Sequence, residues 1–287
     1  MNKPPASNPN DLPAVLEEIV DFKRAEIEQA KSTEPIADLG AMISRAEPTR
    51  NFFGALTSIA PNTPRTRIIA EIKRRSPSAG LIRPEYDLDG FKPELIAEQY
   101  SKAGASAISC LTDEKFFGGS LSFINRIKQH IPLPVIRKDF ILDPYQIYQA
   151  RAYGADAVLL IAECLSDDQI ADLLKLADSL DLSVLLEVHS KINLLRVQPI
   201  VQSASTKRVL LGINNRDLSR MVTDLAHTTD LVELVEDRSV LVSESGIKTA
   251  TDLARLRNHG VNIALIGEHL MRQPCPGKAL RAMLNEG

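Results

Sequence analysis

Eight short apolar runs, each followed by a stretch with helical periodicity, restrict the architecture of this chain more than any other feature. They are RIIAEI (67–72), SAISCL (106–111), PVIRKD from Pro134, AVLLIA from Ala157, SVLLEV from Ser183, RVLLGI from Arg208, SVLVSE from Ser239 and NIALIG from Asn262. Runs of this length, rich in Leu and β-branched residues, suit strands buried on both faces, the hallmark of a parallel sheet. Helices are expected over 93–103, 120–130, 143–153, 166–180, 191–201, 224–235, 249–259 and 277–285, and most of these segments open on a capping residue or a proline. Eight βα units imply an α/β protein of the closed (β/α)8 barrel type. An open doubly wound sheet shares the alternation, but no GxGxxG or GxxxxGK follows any run, and 287 residues is a usual size for one barrel.

About 65 residues precede the first run. Within them, 11–31 repeats Val15, Leu16, Ile19, Val20 and Ile27 at helical spacing, so residues 1–66 read as an extension with an amphipathic helix and 67–287 as the barrel. Capping one end of the barrel is the simplest role for that helix, and facing a partner subunit is the other. The opening MNKPPASNPN is expected to be disordered. A formal charge of -3 offers no general attraction for nucleic acid. No apolar stretch approaches the roughly 20 residues needed to span a bilayer. Cys110, Cys164 and Cys275 are scattered without metal-like spacing, and no basic start leads into an apolar signal region, so a cytoplasmic protein is expected.

Charged residues mark the odd-numbered runs. Glu71 and Lys73 end the first, Lys138 the third, Glu187 the fifth and Glu244 the seventh. Inward side chains of a barrel come in layers contributed by alternate strands, so these five groups should meet over one central space at the carboxyl end, where barrel active sites lie. Burying any of them unpaired costs several kcal/mol, so they must neutralise one another and titrate as a set. A purely structural ion network could sit anywhere in a barrel, and its placement at the catalytic end favours chemistry. A second group points to phosphate: Ser76 in RRSPSAG, Ser245 and Gly246 in SESGI, and Gly267 before a short helix in LIGEHL. Loops after strands seven and eight frequently build such a site. Glu268 argues against it unless its carboxylate turns away.

The segments AEIKRRSPSAG, LTDEKFFGGS, IRKDFILDPYQI, LLEVHS, LGINNRDL, SESGI and LIGEHLM together resemble the indole-3-glycerol phosphate synthase family of tryptophan biosynthesis, from about Arg67 to Met271. The helix at 11–31 resembles that family's extra N-terminal helix, which packs over the barrel mouth. The resemblance implies conversion of 1-(2-carboxyphenylamino)-1-deoxyribulose 5-phosphate to indole-3-glycerol phosphate with loss of carbon dioxide and water, without metal or organic cofactor. It implies that Lys138 is the general acid on the substrate carbonyl, that Lys73 holds the substrate carboxylate with Glu71 as its partner, and that Glu187 serves the dehydration with Asn214 positioned beside it. Glu244 tunes the lysines. Ser76, Ser245, Gly246, Gly267 and the backbone of Glu268 fall on phosphate contacts, Phe117 and Leu265 on apolar contacts to the aromatic ring, and Arg216 on a further site arginine. Where Glu268 stands, some members carry a small hydroxyl residue, so only a backbone contact carries over.

Other conspicuous residues read blandly. His130, His227, His259 and His269 show no metal-ligand spacing and fall mostly in helices or loops. His189 follows Glu187 at the active end, where an outward position is as good a reading as a catalytic one. Arg74 and Arg75 suit a solvated loop start, and the polar stretch 202–208 suits a surface loop. A phosphorylated small molecule is the expected partner, with no nucleic acid, no membrane and an open oligomeric state. Two competing functions remain, a lysine Schiff-base aldolase on another sugar phosphate and a barrel that only binds a phosphometabolite.

Overall fold

The computed structural model describes residues 12–58, 66–77, 79–87, 90–204, 206, 208–217 and 222–285. The expectation of disorder for residues 1–10 lies outside them, as does part of the 202–208 loop. Eight parallel strands close into a barrel: β1 (Arg67–Ile72), β2 (Ala107–Leu111), β3 (Val135–Lys138), β4 (Ala157–Ile161), β5 (Ser183–Val188), β6 (Val209–Asn214), β7 (Leu241–Glu244) and β8 (Ile263–Ile266). Closure is made where β1 pairs on both sides, Ile69 against Ala107 of β2 and against Leu265 of β8.

Strand alternation sorts the side chains into two cores. Ile69, Ala107, Ile136, Leu159, Leu185, Leu210, Val242 and Leu265 belong to a cluster inside the barrel, while neighbours such as Ile68, Ile108, Leu160 and Leu186 pack outward under the helices. By the same period of two, Glu71 shares the inner face with Ile69, Lys138 with Ile136, Glu187 with Leu185 and Glu244 with Val242. The ionisable groups are therefore the last inward layer before the mouth.

The extension carries three helices where one was expected: α1 (Ala14–Thr33), α2 (Ile36–Ile43) and α3 (Phe52–Thr57). Buried Phe52 and Leu56 of α3 join the inner cluster, plugging the amino end of the barrel. Arg50 secures that segment by donating to the carbonyls of Lys128, Ile131 and Leu133. At the other end α1 buries Leu16, Ile19, Val20, Lys23 and Ile27.

The outer helices are α4 (Pro93–Ala103), α5 (Ser122–His130), α6 (Pro144–Ala152), α7 (Asp167–Ser179), α8 (Lys191–Ser203), α9 (Ala226–Leu231), α10 (Ala250–Asn258), α11 (Glu268–Met271) and α12 (Pro276–Asn285). Two differ from the sequence reading around β6 and β7. The helix expected over 224–235 is cut to α9 and a 3-10 turn, Val232–Leu234, in a stretch where Thr228 turns its hydroxyl to Asn215. The seventh strand begins two residues later than expected, because the Asp237 carboxylate accepts from the Ser239 N–H and winds Arg238–Val240 into a 3-10 turn. Among the described residues no helix is long and apolar enough to cross a membrane.

Lys23 shows how the extension is locked. Its ammonium is fully buried, 2.8 Å from Asp113 after β2 and 3.0 Å from Asp139 after β3. Burial opposes its charge, but the two carboxylates outweigh burial and hold the lysine above its ordinary range, while Asp139 is held well below its own against the same desolvation. A group with a depressed native pKa stabilises the fold above its unfolded pKa and loses that contribution as pH falls through the native one, so the clamp operates at neutral pH and weakens only in strong acid. Lys23→Met, which leaves Asp113 without a cation while Asp139 keeps Arg137, is expected to cost about 3 kcal/mol of stability, read from urea unfolding at pH 7.

Candidate active site

The carboxyl ends of the strands and α1 enclose a cavity of about 400 Å³. That volume is in the range of small-molecule sites. Its floor holds Glu71, Lys73, Lys138, Glu187, Asn214 and Glu244, and its sides include Phe117, Leu265, and Leu16 and Ile19 of α1. Charges from strands one, three, five and seven therefore converge as barrel layering requires.

Two ion pairs organise the floor. The Lys73 ammonium lies 2.8 Å from Glu71, and the Lys138 ammonium lies 3.1 Å from Glu187 and 3.8 Å from Glu244. Asn214 donates to the other oxygen of Glu187 at 3.1 Å. Lys138 keeps 14% of its side-chain surface exposed, so it is paired below and open above toward whatever fills the cavity.

Burial alone would raise every carboxyl here, and the outcome depends on the nearest ammonium. For Glu71, Lys73 and Lys138 outweigh desolvation and hold the carboxyl below its usual range. For Glu187, Lys138 and then His189 do the same more strongly. Glu244 goes the other way: desolvation and repulsion from Glu187 outweigh the more distant Lys138, and its carboxyl is raised well above the usual range. The two carboxyls also meet each other, a contact that lowers Glu187 and raises Glu244. Of the two carboxyls facing one lysine, the nearer, Glu187, is thus held down and the farther, Glu244, pushed up. Lys138 itself is raised, since Glu187, Glu244 and Glu71 overcome its desolvation.

Opposite these groups the backbone bends tightly. Ser245 and Gly246 follow β7 with φ of 68° and 80°. A side chain at position 246 would strike Thr223, and its positive φ also suits glycine. Asn215 holds this turn by donating to the Ser245 carbonyl at 3.0 Å. Gly267 and Glu268, beyond β8, complete the rim. The Glu268 carboxylate does turn to cations, 3.2 Å from Arg216 and 2.9 Å from Arg272. Ser76 stands apart: it is buried in the short ribbon of Arg75–Ser76 with Gly80–Leu81, where its hydroxyl accepts from the Ala79 N–H, and the cavity wall there is Pro77.

Residues outside the expected site also reach it, among them His189, whose position the sequence left open between outward and catalytic. His189 lines the cavity with Nε2 3.3 Å from Glu187, and Lys248, His269 and Arg272 join the rim. Placement directly after LLEV at a strand's carboxyl end was the available signal for His189. For Arg272, five residues beyond Gly267, spacing alone offered none. Among the described residues no group of three or more His, Cys, Asp or Glu side chains is placed to hold a metal.

Fold and site together define a β/α-barrel enzyme-like centre with paired acid–base groups facing an anion-compatible rim. Solved structures share the fold: a 3-hexulose-6-phosphate synthase from Salmonella typhimurium superposes with a TM-score of 0.58 at 11% identity, covering 76% of this chain and 97% of that one. A thiamine phosphate pyrophosphorylase from Pyrococcus furiosus gives 0.53 at 16% identity, covering 78% and 96%. Sequence reaches further. The family model described as indole-3-glycerol phosphate synthase matches residues 16–283. Proteins of that name from Rhodopirellula baltica and Rhodospirillum rubrum are 44% and 43% identical over 270 residues, each covering 94% of this chain and 98% of the relative. The chain belongs to the indole-3-glycerol phosphate synthase family.

Two glycines make room for the floor carboxylates. A Cβ at Gly267 would collide with the Glu71 carboxylate and sit 2.9 Å from its Cβ, and one at Gly212 would collide with the Glu244 carboxylate. Gly267→Ala is therefore expected to displace Glu71 from Lys73 and to lower kcat by roughly tenfold or more. Steady-state kinetics alongside thermal unfolding would separate that loss from a loss of folded protein.

Proposed function

We propose that this protein is the indole-3-glycerol phosphate synthase of tryptophan biosynthesis, a carbon–carbon lyase that closes the indole ring of 1-(2-carboxyphenylamino)-1-deoxyribulose 5-phosphate. Family membership supports the activity, and one observation carries the chemistry: a protonated Lys138 lies against an ionised Glu187 at the floor of the cavity, with the second pair, Glu71 and Lys73, beside it.

In this reading Lys138 gives its proton to the substrate's ketone oxygen while the carboxyl-bearing ring carbon attacks the ketone carbon. An ammonium aimed from below suits the developing alkoxide. Lys73 holds the substrate carboxylate until carbon dioxide leaves and the ring regains aromaticity. Glu187 then removes a substrate proton while the departing hydroxyl takes one from the Lys73 ammonium and leaves as water, with Asn214 bonded to the Glu187 carboxylate. Glu244, holding its own proton, leaves the charge of Lys138 to Glu187. The phosphate rests on the backbone of Ser245, Gly246, Gly267 and Glu268, with Arg216 near. Phe117 and Leu265 receive the aromatic ring. Ser76, whose hydroxyl accepts from the Ala79 N–H, joins the phosphate contacts from the loop after β1.

A Schiff-base aldolase needs a neutral lysine amine. The raised pKa of Lys138 disfavours that reading, and borohydride treatment with substrate is expected to trap no adduct. The primary assay follows indole fluorescence on mixing the protein with 1-(2-carboxyphenylamino)-1-deoxyribulose 5-phosphate in the presence of a metal chelator. A rising signal is expected, and folded protein that binds the substrate without turnover would overturn the proposal in favour of a binding barrel.

Lys138→Ala is expected to lower kcat by roughly 100-fold or more while the protein remains folded by circular dichroism. The pH profile follows from the same charges. Because Glu187 is depressed and Lys138 raised, base and acid are both in their working forms through neutral pH. The profile of kcat/KM should be flat there and fall on the acid side as Glu187 takes up a proton.

A further inference from the structure

Behind the floor lies a second pair of titratable groups that no step above uses. Glu163 follows β4 in a short 3-10 turn, and His189 follows β5. The imidazole stands between two carboxylates, with Nδ1 hydrogen-bonded to Glu163 at 3.2 Å and Nε2 3.3 Å from Glu187. Glu163 is itself held, accepting from the His189 backbone N–H at 2.8 Å and from Asn193 at 2.9 Å. His227 of α9 bonds the His189 carbonyl at 3.1 Å. The ring is held between two carboxylates and its backbone by Glu163 and His227, and only 9% of its side chain is exposed.

We propose that His189 is a positioning residue for Glu187: gripped by Glu163, its imidazole orients and charge-balances the carboxylate that handles the substrate proton in the dehydration step. A neutral imidazole with its one proton toward Glu163 would turn a lone pair toward Glu187, and with the proton toward Glu187 it would turn one toward Glu163. Both contacts are favourable only when the ring carries two protons. The charges then alternate along Glu163, His189, Glu187 and Lys138. Each carboxylate meets a cation, and both oxygens of Glu187 are engaged, one by Lys138 and the other by Asn214 and His189. The groups facing the ring are Glu163, Glu187 and, more distantly, Lys138. Burial lowers the ring's basicity and Lys138 lowers it further, but the two carboxylates prevail and its pKa is raised.

The inference rests on the reading of Glu187 as an acid–base group, and the experiment keeps the two apart. His189→Gln and Glu163→Gln are compared with the wild-type protein for kcat, KM and the pH dependence of kcat/KM by indole fluorescence, with thermal unfolding recorded for each. Removing the cation beside Glu187 should let its pKa rise. The acid limb of His189→Gln is therefore expected to move up by roughly one pH unit, with kcat down by roughly tenfold and KM within about twofold. Glu163→Gln, which keeps the ring but loosens its grip, should move the limb in the same direction by less. A wild-type acid limb and wild-type kcat in folded His189→Gln would overturn the proposal, as would a drop in stability with an unmoved limb, since that is what a packing role produces. If His189→Gln does not fold, the limb of Glu163→Gln decides. No turnover by the wild-type protein would instead refute the reading of the site itself.

Discussion

Lys138 is held between two carboxylates in a space with little water, and most of the site follows from that arrangement. The ammonium cannot sit inside a barrel without counter-charge, and two ionised carboxylates cannot share it without repelling each other. The nearer, Glu187 at 3.1 Å, is held below the usual carboxylate range, and the farther, Glu244 at 3.8 Å, is raised above it. That asymmetry sets the charge pattern of the floor before any substrate enters. It also explains small features of the barrel wall: Gly212 and Gly267 leave the volume that the Glu244 and Glu71 carboxylates occupy.

The N-terminal extension serves the same centre from outside the strands. Its third helix seals the amino end with Phe52 and Leu56, and its first roofs the cavity with Leu16 and Ile19. The fastening of the roof is ionic. Lys23 joins α1 to Asp139, the neighbour of Lys138, and to Asp113, whose side chain accepts from the backbone of Phe116 and Phe117. A buried pair of this kind contributes less to net stability than to geometry, because desolvation offsets much of its attraction. Here it sets where the roof sits relative to Lys138.

Much of this was readable from local pattern. Eight apolar runs with helical stretches between them announced the barrel, and charges at the ends of alternate runs announced the floor. The reading was weakest where local signals were overruled. Around Thr228 a helical stretch gives way to side-chain bonds with Asn215, and before Leu241 an Asp237 cap winds residues expected in the strand. Lys23 went unremarked, because nothing near it in sequence reveals two aspartates arriving from 90 and more residues away. Ser76 was legible as a candidate phosphate contact from its turn, and the structure adds that its hydroxyl accepts from the Ala79 N–H.

What the sequence determined by itself was the class of fold, the inward placement of Glu71, Lys138, Glu187 and Glu244, and the family, because strand periodicity and motif order are properties of neighbouring residues. Tertiary structure decided which of those charges touch, which carboxyl is held down and which is pushed up, and that His189 and Glu163 stand behind Glu187. Those outcomes depend on distances of a few ångströms between residues on different strands, and on burial. Neither exists until β1 meets β8 and the barrel closes.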